Sequence, residues 1–110
     1  MKLELIRSMT NEYETAVYNE YKIGEYTIDC CVYNAGTESQ RKTIDVYKDY
    51  SNRFLPEIFF DGRRYGETVN EFRIQTTSYG SLKPEEIKEV MKGYETALAV
   101  VEILKKELVM

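Results

Sequence analysis

The chain has no histidine and no tryptophan, and only two prolines and two cysteines in 110 residues. The missing histidine excludes Ser-His-Asp and Cys-His catalysis and most metal-dependent hydrolysis, which need imidazole as base or ligand. Carboxylate, lysine or tyrosine chemistry is what remains. The cysteines, Cys30 and Cys31, are neighbours. In a strand they point to opposite faces, and two thiols without histidine cannot supply four zinc ligands. They read as reduced structural residues, Cys30 inward and Cys31 outward, as a reducing compartment allows. No metal and no cofactor is expected. Long apolar runs are missing as well. The longest, Ala97 to Val101, has five residues, whereas a membrane span needs about 20. The first residues lack the apolar stretch of a signal peptide, so the expectation is a cytoplasmic protein without a membrane partner. A strong charge of either sign is also absent. Nineteen acids and 15 bases give −4, with the bases mostly scattered among acids. Phosphate backbones attract clustered Lys and Arg, so nucleic-acid binding is disfavoured.

What is present is a globular composition, 43% apolar and 31% charged, of a length that fits a single domain, 1–110. Strand patterns dominate the first three quarters. MKLELIRS alternates apolar and polar residues. Tyr13 to Tyr33 is rich in Tyr, Val, Ile and Thr and is broken at Ile23-Gly24, a hairpin turn. In its second arm Tyr26, Ile28, Cys30 and Val32 share one face, and Thr27, Asp29, Cys31 and Tyr33 share the other. The first suits a core and the second suits water or a partner. Thr43 to Asp49 alternates again, with Ile44 and Val46 on its apolar face. A further strand starts near Glu57, just after Pro56. Asp61-Gly62 reads as the tight turn of a second hairpin, and Phe72, Ile74 and Thr76 line one face of the strand beyond it.

From Pro84 the period becomes helical. Ile87, Val90, Tyr94, Ala97, Val101, Leu104 and Leu108 recur at spacings of 3 and 4, which predicts a helix from about Pro84 to Glu107. Pro84 suits the first turn, and Glu85 and Glu86 complement its dipole. The fold class expected is α+β: an antiparallel sheet of about five or six strands with one long C-terminal helix packed across it. Ile28, Val46, Ile74, Val90 and Val101 are the expected core. A second apolar row, Leu98, Val100 and Ile103, exceeds what one sheet face covers. Its cover is either the N-terminal strand, with Leu3, Leu5 and Ile6, or a second copy of the chain in a homodimer.

Ten tyrosines exceed the needs of a small core. Tyr is enriched at protein interfaces, and Tyr33 and Tyr47 fall on the face opposite Ile28 and Ile44. The candidate interface is therefore Tyr33, Tyr47, Leu98, Val100 and Ile103. Asp29 and Asp45 share that non-core face and meet if their strands pair; a solvated sheet face accounts for them better than acid–base chemistry does. A secondary candidate is the basic, aromatic tip Arg63, Arg64 and Tyr65, with Thr77 and Tyr79 of the polar seam Thr76 to Ser81. The seam has one glycine and no phosphate-loop pattern, so it reads as a strand–helix joint.

The segments FRIQTTSYGSL (Phe72 to Leu82) and EEIKEVMKGYETALAVVEIL (Glu85 to Leu104) resemble small uncharacterised proteins of bacterial phages and conjugative elements. The resemblance implies a mobile-element accessory protein and carries over no catalytic motif. Taken together, the sequence points to a non-enzymatic protein-binding or regulatory accessory protein. The alternative is a nucleic-acid-associated accessory protein using the Arg63-Arg64 hairpin.

Overall fold

The computed structural model describes residues 1–13, 15–64, 67–76 and 80–109. The alternating segments become six strands in a meander: β1 (Glu4–Thr10), β2 (Ala16–Ile23), β3 (Tyr26–Tyr33), β4 (Arg41–Lys48), β5 (Glu57–Arg64) and β6 (Glu67–Gln75). β1 to β4 form a four-stranded antiparallel sheet in sequence order, and β5 and β6 pair separately. β5 runs back beside β4 without joining its ladder. At one end Gly62 lies against the Lys42 carbonyl, and at the other Lys48 Nζ donates to the Leu55 carbonyl at 2.9 Å. Helix α1 (Pro84–Leu104) follows, and its last turns, Lys105–Val109, widen to a π-helix. The fold is α+β, as the sequence indicates, although the strands divide into two sheets.

Turn chemistry explains one hairpin and corrects the other. At Ile23–Tyr26 the two-residue turn starts with Gly24 at φ 56°, the positive value that a tight hairpin requires. Asp61-Gly62, expected to be a turn, lies inside β5 instead. The register slips between Asp61 and Arg63, where β6 carries one residue more than β5, and Asn70 takes φ 54° there. The pair thus faces a bulge. A Cβ at Gly62 would sit 3.2 Å from the Phe60 ring, a tight contact that the ring would have to yield to. Arg64 pairs with Glu67, and Tyr65 lies outside the described residues.

One face of the sheet is the core. Ile23, Tyr26, Ile28, Cys30 and Ile44 meet Leu55 and Ile58 and, from the helix, Ala97, Val100, Val101 and Leu104. Of the expected core, Ile28 and Val101 are buried; Val46 and Ile74 are half-buried against that cluster, and Val90 is half-buried. Tyr26 is fully buried, and its hydroxyl donates to the Pro56 carbonyl at 2.6 Å. Burial therefore holds its phenol far above the usual range, with Glu25 adding to the effect. This bond fixes the loop 49–56 over the core. Asp49 N donates to the Glu25 carbonyl at 2.9 Å, and Asn52 Nδ2 donates to the Glu25 carboxylate at 3.0 Å. The loop crosses α1 at Gly93, where an added Cβ would collide with the Phe54 carbonyl oxygen. At the other end Lys42 Nζ donates to the Leu108 carbonyl at 2.5 Å, tying the helix C-terminus to β4.

The molecule measures 53 × 32 × 21 Å. The smallest dimension accommodates one sheet and one helix about 10 to 12 Å across. Among the described residues, no second layer covers the other face of the sheet. Among the described residues no helix is long and apolar enough to cross a membrane.

Candidate functional site

The uncovered outer face is built by pleating and register. In β3 the side chains of Thr27, Asp29, Cys31 and Tyr33 point away from the helix. The antiparallel ladders then set their neighbours. Asp29 stands opposite Glu20 on β2 and opposite Asp45 on β4. Cys31 stands between Tyr18 and Thr43, Tyr33 stands opposite Arg41, and Thr27 stands opposite Tyr47. At the sheet edge Arg7 is in register with Glu20, and its guanidinium bonds that carboxylate at 2.9 Å. One row therefore reads Arg7, Glu20, Asp29, Asp45 across four strands.

Three adjacent carboxylates with about 5 Å between facing Cβ atoms repel one another. Asp29, in the middle, has its pKa raised chiefly by desolvation, with Glu20 and Asp45 adding to the shift and Arg7 opposing it. Tyr47 is raised too, chiefly by Asp45 beside it. Aromatic rings flank the row. Tyr18 and Tyr47 are 41% and 50% exposed, and Phe59 on β5 is 39% exposed. Tyr18 and Tyr33 meet edge to face at 6.3 Å, and Arg41 lies 4.5 Å over the Tyr33 ring. A groove of about 320 Å³ runs along this surface between Met9, Tyr18, Tyr33 and the carboxylates.

The expected interface residues separate into three groups. Tyr33 and Tyr47 do lie on the outer face. Leu98 is on the helix surface, 44% exposed. Val100 is 0% exposed in the protein's own core, and Ile103 is half-buried against it. The second helical row was therefore misassigned: Val100 belongs to the row that covers the sheet. The exposed apolar stripe is instead Ile87, Met91, Tyr94 and Leu98. The N-terminal segment contributes only in part: Leu3 packs against the core cluster, while β1 is hydrogen-bonded to β2 at the sheet edge with Leu5 and Ile6 exposed.

Cys31, expected outward, does sit on the outer face but is only 8% exposed, beneath Tyr18 and Tyr33. Its contact with the Tyr33 hydroxyl is the main influence raising that phenol. Both cysteines are free, and burial raises the Cys30 thiol. Among the secondary candidates, the Arg63 and Arg64 backbones pair with Thr68 and Glu67 in β5–β6. Tyr65, Thr77 and Tyr79 lie outside the described residues.

Sequence reasoning missed Arg7, Met9, Tyr18 and Glu20. A usable signal existed for two of them. A two-residue turn at Gly24-Glu25 obliges Glu20 to face Asp29 and Tyr18 to face Cys31. No protein-family model matches the chain, and neither a curated protein nor a solved structure is significantly similar to it.

Proposed function

We propose that this protein is a non-catalytic binding module that docks a basic segment of a partner protein on its outer sheet face. In keeping with the resemblance of Phe72 to Leu82 and Glu85 to Leu104, we read it as a mobile-element accessory protein acting by protein–protein contact. The observation that carries the docking reading is the in-register row Glu20, Asp29, Asp45. Like charges directly opposite one another weaken a sheet, and features that lower stability concentrate where function requires them. A lysine or arginine laid across the row would relieve the repulsion. Tyr18 and Tyr47 offer ring faces to its methylene stem or cation.

Catalysis suits the arrangement less well. The carboxylates lie on an open face, whereas acid–base chemistry gains from a closed, dry cleft. Phosphate backbones would be repelled by the same row.

The reading is tested by titrating isotope-labelled protein with an arginine-rich peptide and with a glutamate-rich one, following backbone amide shifts. The arginine-rich peptide should shift Glu20, Asp29, Asp45 and Tyr47 together and lose affinity with added salt. Equal response to both peptides, or shifts confined to β5 and β6, would refute it.

A further inference from the structure

We propose that the first half of α1 is a second interface, where two copies of the chain pair antiparallel through Ile87, Met91, Tyr94 and Leu98. These side chains are 48%, 60%, 42% and 44% exposed, although the same helix is buried further along at Val100, Val101 and Leu104. Their spacings are 4, 3 and 4 residues, the recurrence of a coiled-coil seam. The spacing, though not the residue order, is the same in both directions. A two-fold axis between Met91 and Tyr94 thus lays Ile87 on the partner's Leu98 and Met91 on the partner's Tyr94, the reciprocal contact of a closed dimer.

Charge on the solvent side of the stripe argues for this occupant. Lys88 and Glu95 lie seven residues apart and therefore on one flank of the helix. Neither joins an ion pair among the described residues. The same two-fold axis brings Lys88 against the partner's Glu95 and Glu95 against the partner's Lys88. The two-fold pairing satisfies the apolar seam and both charges at once. The opposite flank, with Gly93 and Ala97 buried in the protein's own fold, is already filled. The seam is about 18 Å long, short for a permanent dimer, so association should be reversible in the micromolar range. This interface does not depend on the sheet-face reading. It lies on the helix layer, so a dimer would present two sheet faces and bind a repeated partner with avidity.

Sedimentation velocity of the full chain, from low to high micromolar, tests the proposal with Met91→Glu, Lys88→Glu, Glu95→Lys and the double charge swap. Circular dichroism melts monitor folding. The expected result is a concentration-dependent dimer in the parent and a monomer with unchanged melting in Met91→Glu. Each single charge change should weaken association several-fold, and the double swap should restore it. A monomer at every concentration, a dimer indifferent to Met91→Glu, or a double swap no better than the singles would overturn it.

Discussion

The two faces of β1 to β4 share strands, register and pleat, and differ in what lies above them. Under α1, Ile23, Tyr26, Ile28 and Ile44 are 0–3% exposed, and the fully buried hydroxyl of Tyr26 has its acceptor. On the other side Glu20, Asp29 and Asp45 stand in register, and Tyr18 and Tyr47 are open to solvent. The helix face follows the rule that buried polar groups are paired and apolar ones packed. The outer face departs from the rule that facing charges alternate in sign. One side of the sheet is organised for stability, and the other keeps an arrangement that stability alone would not select.

Substitutions on the two sides should separate accordingly. Leu104→Ala, which empties a fully buried position under the sheet, should destabilise by about 2–5 kcal/mol. The equally drastic Tyr47→Ala, on the open side, should lower stability by less than about 1 kcal/mol; urea unfolding checks both. Gly93→Ala, despite helical alanine being favourable, should destabilise by about 1–3 kcal/mol. Its Cβ meets the backbone of Phe54 and Leu55, which is 3.5 Å away at Leu55 Cα. Tyr26→Phe should lower stability by about 1–2 kcal/mol, because the buried Pro56 carbonyl loses its donor.

The smallest effect has the opposite sign. The folded-state pKa of Asp29 is raised, so the folded protein holds this proton more tightly than the unfolded chain does. That stabilisation is fully present below the ordinary carboxylate range and is lost as pH rises through the titration of Asp29. Asp29→Asn should therefore raise stability slightly at neutral pH, by about a few tenths of a kcal/mol, read as a small rise in melting temperature. The advantage should vanish in acid, where the parent is already protonated.

The sequence was most legible where local pattern and tertiary need coincide. The alternation of Tyr26 to Tyr33 revealed both faces of β3, and Ile23-Gly24 announced its hairpin because positive φ has few other causes. Asp61-Gly62 misled because the same dipeptide also suits a strand whose partner bulges. The helix pattern showed that two apolar rows exist. It could not show which row the sheet covers, since that depends on where the loop 49–56 crosses at Gly93, a contact between distant parts of the chain. The break between β4 and β5 is likewise a tertiary matter. Asp29 and Asp45 were recognisable as a pair through strand alternation. Glu20 completes the row only when the β2–β3 turn is counted through.

On the reading proposed above, the carboxylate row serves binding at the expense of stability. The double variant Asp29→Asn with Asp45→Asn, compared with the parent for both urea stability and arginine-rich peptide affinity, tests it most directly. The double variant should be as stable as the parent or more so, with peptide binding lost. Retained binding, or a clear fall in stability with binding unchanged, would contradict it.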